Sequence, residues 1–300
     1  MHVCRIVVKQ GIVWLISRRF VMESTRVEGD VTFENVGEDA CEDEYDLSYD
    51  TLYETTMYDY YRYTFQNNAN ECNSLPDIGI TKISRGSGNY PEQLISLFEK
   101  RTPEELFCYG DVSLFEKTII MVCGARNASA AACKLAYACG RLIAEQGYTV
   151  ASGYARGVDM AAHIGALEAG GSTIAILPYG LGKFRLQSEI ADLMANEQFL
   201  VVSEAPYTGR FTAARALGRN KLLVKMSRAV IVVEPGESGG TWFSADYAGK
   251  KGKPLYFIEG ERSDVIPKLE GIGGRRIQII ANAPDLREMY RHILMGDTPE

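Results

Sequence analysis

Short apolar runs recur from residue 119 onward, and longer helix-forming stretches separate them. The runs predict buried strands over residues 119–123, 149–151, 173–177, 199–203, 229–233 and 255–258, with a shorter one over 276–280. The stretches between them predict helices over residues 129–146, 159–169, 188–196, 212–226 and 241–251, and a closing helix over 284–294. Strands that are apolar along their whole length, alternating with helices, are typical of a parallel sheet covered on both faces. The pattern therefore predicts a doubly wound α/β domain.

The residues before this domain follow a different pattern. A short amphipathic helix is predicted over residues 92–100 and a strand over 106–111. From Met22 to Glu71 there are 14 acidic residues against only Arg26 and Arg62, with no clear periodicity, so burial cannot offset the entropy cost of ordering. The alternative is an acidic segment that mimics nucleic acid and covers a basic groove. The expected organisation is a poorly ordered, tyrosine-rich acidic segment over 1–75, a lead-in over 76–117, the sheet domain over 118–283, and a helix and tail over 284–300.

Composition adds a few limits to this picture. The formal net charge is −7, but it comes from the acidic segment, because the remainder of the chain is close to neutral. Seven cysteines without a CxxC pair indicate free thiols in a reducing cytoplasm. No apolar run reaches the ~18–20 residues of a membrane span. We therefore expect a cytoplasmic protein with no membrane partner.

Glycine-rich turns follow several of the predicted strands. Ligands of open α/β sheets bind beyond the carboxyl ends of the strands. Glycines let a phosphate approach the backbone, arginines supply charge, and helix N-termini, such as the one expected near Ser129, supply amide groups. One such turn alone would be an ordinary strand-to-helix corner, but several along one edge predict a phosphate-binding site. The candidate residues are Gly124, Ala125, Arg126, Ser152, Gly153, Arg156, Gly157, Asp159, Ser238, Gly239, Gly240 and Thr241.

Residues 208–225 form a second distinctive stretch, because basic side chains recur there around one aromatic ring. Cations suit the phosphates of a single-stranded nucleic acid, and a ring offers a stacking surface for its bases. The alternative is a solvated amphipathic helix. The residues concerned are Arg210, Phe211, Arg215, Arg219, Lys221 and Lys225.

The sequence offers no persuasive catalytic set. Neither a GxGxxG fingerprint nor a Walker A loop follows the first strand of the sheet domain. Asp159 and His163 lie four residues apart and share a helix face, where a structural hydrogen bond between them is favoured over a general base. No cysteine and histidine cluster has metal-ligand spacing, so neither a metal nor another cofactor is expected.

Several motifs, in order, resemble those of the DNA-processing protein DprA (Smf) family. They are Tyr90-Pro91, Gly110-Asp111, Gly124-Ala125-Arg126, the block 152–159 with Ala162-His163 and Gly165-Ala166-Leu167, Ser203-Glu204-Ala205-Pro206, Arg219-Asn220-Lys221 and Ser238-Gly239-Gly240-Thr241. The resemblance implies an extended Rossmann-like domain that binds single-stranded DNA in a basic pocket. It also implies a homodimer that hands DNA strands to a RecA-type recombinase during natural transformation.

The resemblance also implies roles for individual residues. Arg126 and the turn at Gly124 would hold phosphate, Gly153 and Gly157 would shape the pocket, and residues 219–221 would hold the strand. Two positions depart from the family pattern. Ala125 stands where the family has serine and so removes a hydroxyl donor, and Lys221 replaces an arginine, keeping the charge but losing the bidentate fork. A winged-helix domain at the C-terminus is not expected.

The alternative hypothesis is a protein that binds nucleotides or cleaves an N-glycosidic bond. Residues 234–241 partly resemble the Pro-Gly-Gly-x-Gly-Thr-x-x-Glu motif of cytokinin-activating phosphoribohydrolases. Ser244 stands where that motif has its catalytic glutamate, so the general acid/base work has no obvious agent. We therefore expect a binding protein rather than an enzyme. A sensor domain for a nucleotide signal is a third possibility.

Overall fold

The computed structural model describes residues 79–88, 90–91, 94–95, 103–187, 190, 193, 198–236, 238–259, 265–280 and 283–295, and the backbone of three short strands before them. The chain divides into two compact units, Met1–Met57 and Tyr58–Glu300. In the first unit, β1 (Arg5–Lys9) and β2 (Ile12–Ile16) form an antiparallel pair. The predicted lack of order over residues 1–75 lies mostly outside the described residues, and the strands at 5–9, 12–16 and 72–74 are exceptions to it.

The second unit is built on a nine-stranded, mainly parallel sheet. The strands of this unit are β3 (Cys72–Ser74), β4 (Ile80–Ser84), β5 (Glu105–Gly110), β6 (Ile119–Gly124), β7 (Thr149–Ser152), β8 (Ser172–Leu177), β9 (Arg185–Gln187), β10 (Phe199–Ser203), β11 (Ala229–Val233), β12 (Leu255–Ile258), β13 (Gly274–Arg276), β14 (Ile279–Ile280) and β15 (Ala283–Pro284). The sheet order is β13-β12-β11-β6-β7-β8-β10-β5-β4. The strands from β13 to β10 are parallel, whereas β5 and β4 add an antiparallel edge.

Helices cover both faces of this sheet, as the apolar pattern predicts. Their bounds are α1 (Ala130–Glu145), α2 (Val158–Glu168), α3 (Ala213–Met226), α4 (Gly240–Lys250), α5 (Ile266–Gly271) and α6 (Arg287–Met295). Side chains of α1, α2 and α6 belong to one buried cluster, and those of α3, α4 and α5 belong to another. Each cluster packs on its own side of the strands, which explains why the strands are apolar on both faces. The predicted doubly wound, Rossmann-like α/β fold is therefore confirmed.

The alanine and glycine content of α1 follows from its close packing on α2. A Cβ atom at Gly140 would lie 2.2 Å from the Ala162 carbonyl oxygen, and one at Gly165 would lie 2.1 Å from the Tyr137 oxygen. Only glycine allows two helix backbones to approach this closely. Helix α1 begins after the N-cap Ser129, whose side chain accepts a hydrogen bond inside the first turn.

The sequence predictions are accurate for the parallel strands and weaker near the end of the chain. The strands predicted over 199–203, 229–233 and 255–258 have the same bounds in the structure. The single strand predicted over 276–280 is wrong, because β13 ends at Arg276 and Ile279–Ile280 pairs with Ala283–Pro284 instead. The closing helix consequently begins at Arg287 rather than at residue 284. The helices predicted over 92–100 and 188–196 fall mostly outside the described residues.

The order of the strands creates a crevice at one place on the sheet. From β6 the chain winds to one side through β7, β8 and β10, and it then returns through α3 to place β11 on the opposite side of β6. The helices that follow β6 and β11 therefore lie on opposite faces of the sheet. In doubly wound folds, ligands bind at such a switch point, beyond the carboxyl ends of the strands.

Within the described part of the chain, no helix combines the length and the apolar character that crossing a lipid bilayer requires.

Candidate functional site

A cleft of about 280 Å³ lies at this switch point, at the carboxyl ends of β6 and β11. It brings together turns that are far apart in the sequence. Of the predicted binding residues, the cleft is lined by Gly124, Ala125, Arg126, Gly153, Asp159, Arg219, Asn220, Ser238, Gly240 and Thr241. The other lining residues are Met121, Cys123, Ala155, Leu223, Gly236 and Ser244. Gly236 and Ser244 are considered above as part of the phosphoribohydrolase-like motif, whereas the sequence does not single out the other four as binding residues.

The N-terminus of α4 forms one wall of the cleft. Its N-cap is Gly239, which has φ +92° and no side chain with which to cap the helix. The first amide groups of a helix have no intrahelical acceptor, and they carry the positive end of the helix dipole. Because Gly240 and Thr241 also line the cleft, this wall is suited to an anion.

Two side chains fix the start of α4 to neighbouring elements. The Thr241 hydroxyl donates to the Gly124 carbonyl oxygen at 2.8 Å, which ties α4 to the end of β6. The Asn220 Nδ2 donates to the Gly240 carbonyl oxygen at 3.0 Å, which ties α4 to α3. Both hydrogen bonds use backbone carbonyl oxygens as acceptors. They therefore leave the amide groups at the start of α4 available to a ligand.

The N-terminus of α1, by contrast, is already occupied by protein groups. The Ser129 hydroxyl accepts from the Ala132 amide at 3.1 Å, and the Glu234 carboxylate accepts from the Ser129 amide at 2.7 Å. Glu234 is buried and has φ +46°. Two of the four amide groups at this helix end therefore already have protein acceptors, and none of Ser129 to Ala132 lines the cleft, so the expectation that this helix end offers its amide groups to a phosphate is not supported.

A buried arginine lies beneath the cleft. The Arg219 guanidinium donates through Nη1 to the carbonyl oxygens of Gly153 and Ile176, at 2.7 and 2.8 Å, and the residue is 8% exposed. A Cβ atom at Gly153 would lie 2.1 Å from this nitrogen, so glycine is needed for the approach. Arg219 thus links the ends of β7 and β8. The family resemblance implies that Arg219 holds the DNA strand directly. Its hydrogen bonds to backbone carbonyl groups instead give it a structural role, in which its buried positive charge lies beneath the cleft.

The charge of Arg219 is partly offset by the carboxyl group of Asp159. Asp159 is 7% exposed and accepts from the Ala155 amide at 3.3 Å. Burial raises the pKa of Asp159, while the neighbouring Arg219 charge acts in the opposite direction. Burial likewise lowers the pKa of Arg219, and Asp159 opposes that shift. The two groups are therefore a mutually stabilised buried pair in the floor of the cleft.

The rim carries Arg126 on a turn that requires two glycines. Arg126 is exposed and lines the cleft, so its guanidinium can reach a bound anion. A Cβ atom at Gly124 would lie 2.3 Å from the Val233 carbonyl oxygen, and one at Gly157 would lie 2.6 Å from the Ala125 oxygen. The first two glycine turns of the domain therefore pack directly against one another.

Nine of the predicted residues do not line the cleft. Ser152 is buried and donates to the Val122 carbonyl oxygen at 2.6 Å, so its role is structural. Gly157 and Gly239 act through the backbone turns described above. Lys225 is half-buried, and the exposed side chains outside the cleft are Arg156, Arg210, Phe211, Arg215 and Lys221.

The predicted hydrogen bond between Asp159 and His163 is not formed. His163 is fully buried, and its Nδ1 lies 2.6 Å from the Thr173 hydroxyl oxygen. Burial lowers the pKa of His163 to about 3, with the Arg219 charge acting in the same direction. A neutral, buried imidazole outside the cleft is a structural group, as expected, although its partner is Thr173.

The position of the hydrolase glutamate is occupied by a hydroxyl group. Ser244 lines the cleft, and its Oγ donates to the Gly240 carbonyl oxygen at 2.9 Å. The apolar floor formed by Met121, Cys123 and Leu223 adds no acid or base that titrates near neutral pH, because burial raises the pKa of the Cys123 thiol far above its usual range. No group of three or more His, Cys, Asp or Glu side chains suited to a metal ion occurs among the described residues.

Comparison with known proteins identifies the family of this chain. A family model described as DNA recombination-mediator protein A matches residues 81–271. The chain is 30% identical to the DNA processing protein DprA of Bacillus subtilis, over 62% of this chain and 63% of that protein. It is also 30% identical to the DprA of Streptococcus pneumoniae, over 58% of this chain and 61% of that protein.

Solved structures of similar proteins share the fold. The X-ray structure of the S. pneumoniae DprA matches with a TM-score of 0.59 at 27% identity, over 66% of this chain and 71% of that chain. The DNA processing protein A of Helicobacter pylori, described for its single-stranded DNA binding mode, matches with a TM-score of 0.57 at 24% identity. This match covers 73% of this chain and 97% of that chain. The chain spans about three fifths of the length of the curated relatives named above. With the family model matching most of the sheet domain, this chain belongs to the DNA recombination-mediator protein A (DprA) family.

Proposed function

We propose that this protein binds single-stranded DNA without sequence preference, through the cleft at the switch point of the sheet. The observation that carries the proposal is the wall made by α4: a glycine-capped helix N-terminus, with the exposed Arg126 at its rim and the buried Arg219 below. These groups line the same cleft, and they supply amide groups and positive charge rather than a base-specific pattern of donors and acceptors. A phosphate of the DNA backbone is the ligand that matches such a site.

The dimensions of the cleft favour a flexible strand over a duplex. A volume of about 280 Å³ is near the lower end for ligand pockets and suits a single nucleotide unit. A single strand can direct one nucleotide into such a space, because its backbone rotates freely between unpaired bases. A duplex holds both backbones at fixed positions, so it cannot place a nucleotide in the cleft without local melting.

We infer the wider biological role of this protein from its membership of the family. The name of the family, DNA recombination mediator, suits a protein that passes a single strand to a RecA-type recombinase in DNA uptake and natural transformation, and that acts as a homodimer. Sedimentation velocity would measure the oligomeric state. A RecA-dependent ATP hydrolysis assay on strands covered by single-strand binding protein would test the handover, and no stimulation by this protein would contradict it.

Fluorescence anisotropy with labelled oligonucleotides of unrelated sequence tests the binding proposal. We expect single strands to bind far more tightly than duplexes, with an affinity that falls as salt rises, because bound phosphates release counterions. Arg126→Ala should weaken all sequences by a similar factor and reduce the magnitude of the salt slope by about 0.7. Arg141→Ala removes the same charge near the C-terminal end of α1, at a residue that does not line the cleft and is paired with Glu145, and it should bind as the unsubstituted protein does. Salt-independent binding, or equal losses from both substitutions, would contradict the proposal.

The nucleotide-cleaving alternative makes a different prediction for the same cleft. Ser244 lacks the carboxylate that would protonate a leaving base, and Asp159 is engaged by the Ala155 amide and neighbours Arg219. Incubation with AMP should therefore release no adenine. Measured turnover that is lost in Asp159→Asn would replace the binding proposal with an enzymatic one.

A further inference from the structure

Outside the cleft, α3 and α4 present two aromatic rings and two lysines on a common surface. Phe243 and Tyr247, one turn apart on α4, stack with ring planes 4° apart and centroids 6.1 Å apart. The Lys221 Nζ lies 5.9 Å from each ring centroid, and the Lys251 Nζ lies 5.8 Å from the Tyr247 centroid. We refer to Phe243, Tyr247, Lys221 and Lys251 as the ring–lysine patch.

The electrostatics around the ring–lysine patch favour a negatively charged partner. The stretch from Ala205 to Val233, which contains α3, has six basic residues and no acidic residue. The acid beside the patch on α4, Asp246, is paired with Lys250 at 2.6 Å. Both Lys221 and Lys251 are exposed, and among the described residues neither has a carboxylate partner. Their charges are therefore available to a ligand.

The ring–lysine patch is continuous with the wall of the cleft. Asn220 lines the cleft and is followed directly by Lys221, and Ser244 lines the cleft and is preceded directly by Phe243. Each of these steps turns about 100° around its helix and rises about 1.5 Å along it, so the patch adjoins the edge of the cleft on the outer side of α3 and α4. A chain that leaves the cleft over this edge therefore reaches the patch.

We propose that a single strand held in the cleft continues across the ring–lysine patch, where Lys221 and Lys251 bind backbone phosphates and a base stacks on the Phe243–Tyr247 pair. Stacked rings flanked by cations are the combination that sequence-independent single-strand binding uses. This second subsite rests on the proposed function. In it, Lys221 contacts the part of the DNA strand that lies outside the cleft. The cation–π interaction between an exposed lysine and a ring is weak, so the lysine can turn toward a phosphate with only a small loss of interaction energy.

Strand length separates the two subsites experimentally. An oligothymidylate of about 3 nucleotides is shorter than the usual single-strand site of about 4–16 nucleotides, and one of about 12 lies within that range, so the shorter one fills only the cleft. Replacing both rings, Phe243→Leu with Tyr247→Leu, should weaken the longer strand by about five- to a hundredfold and leave the shorter one within twofold. Lys221→Gln should reduce the magnitude of the salt slope by about 0.7 on the longer strand only.

The matched control is Lys250→Gln, which removes the same charge one residue away from Lys251, at a lysine already paired with Asp246. It should change neither strand. The glutamine variants change only exposed side chains, and a thermal melt of each variant confirms that the fold is retained.

The outcomes separate this inference from the proposed function. If Arg126→Ala weakens both strands while the patch variants weaken neither, the second subsite does not exist and the cleft proposal stands. If the unsubstituted protein binds no single strand, both fail together. If the ring variant shifts the sedimentation coefficient and leaves strand affinity unchanged, the patch is a contact between copies of the chain, and the inference is overturned.

Discussion

Gly153→Ala is expected to destabilise the fold severely, although its backbone conformation is one that alanine can adopt. The added methyl group would lie 2.1 Å from the Arg219 Nη1, 2.7 Å from its Cζ and 2.8 Å from the Asp159 Oδ2. An exposed arginine would simply swing aside. Arg219 cannot do so freely, because it is buried and its Nη1 is shared by the carbonyl oxygens of Gly153 and Ile176.

The cost follows from what a displaced guanidinium leaves behind. A hydrogen bond from a charged group contributes about 1.5–3 kcal/mol, and the Arg219 Nη1 donates to two carbonyl oxygens. Because a displaced guanidinium can keep part of this bonding, we expect Gly153→Ala to lower the free energy of unfolding by about 2–4 kcal/mol. Urea unfolding followed by circular dichroism measures this quantity.

Two controls make the reasoning refutable. Gly218→Ala is the same substitution inside α3, where nothing lies within 4 Å of the new methyl group, and it should stabilise the protein by about 0.5–1 kcal/mol. In an Arg219→Met background, Gly153→Ala should cost clearly less, because the two nearest obstacles are gone and only the contact of 2.8 Å with the Asp159 Oδ2 remains. An equal cost of Gly153→Ala in both backgrounds would refute the proposed steric link.

Other predictions concern packing, pH and the cleft wall. Gly140→Ala should lower the free energy of unfolding by about 2 kcal/mol in a urea titration, since its methyl group would meet the Ala162 backbone and not a movable side chain. The pKa of His163 in the folded protein is lowered to about 3, so the unfolded chain takes up a proton at a higher pH than the folded chain does. The free energy of unfolding therefore keeps its full value above pH ~6.5 and falls by up to about 1.4 kcal/mol per pH unit below it. His163→Asn, which can keep a bond to Thr173, should flatten that dependence between pH ~6 and pH ~4 in unfolding titrations. Thr241→Val should weaken single-strand binding several-fold, measured by anisotropy, with little loss of stability, because it releases the start of α4 from β6.

The parallel strands could be located from the sequence because both of their faces are buried. Each is a continuous apolar run, and its end is marked by a glycine or a polar residue, as at Gly124 and Ser152. The apolar pattern does not predict the edge strand β4 (Ile80–Ser84), because two of its five side chains are exposed and the run ITKIS has no clear pattern. The six-residue helix α5 was missed because it is too short for periodicity to show.

The sequence predicts only those parts of the cleft whose position follows from the ends of the strands. Residues after β6, β7 and β11 meet because parallel strands place their carboxyl ends at one edge. Helix α3 was treated as one basic stretch, although its phase separates Arg219 from Lys221. The buried side chains Leu222, Leu223 and Met226 share a face with Arg219 and Asn220, which is sufficient to place Lys221 on the outside. That signal was present in the sequence and pointed to a buried role for Arg219.

The choice between two helix ends could not be made from the sequence. Helices α1 and α4 both begin beyond glycine-containing turns at the same edge of the sheet, and a dipole argument alone treats them as equal anion sites. Glu234 breaks the equality, because its φ of +46° turns the carboxylate away from the strand path and onto the Ser129 amide. The protein thereby places its own anion at the start of one helix, whereas the other helix end is capped by Gly239, which has no side chain. Since only the three-dimensional path of residue 234 decides which helix receives the carboxylate, the proposed site of phosphate binding is a tertiary property of this fold.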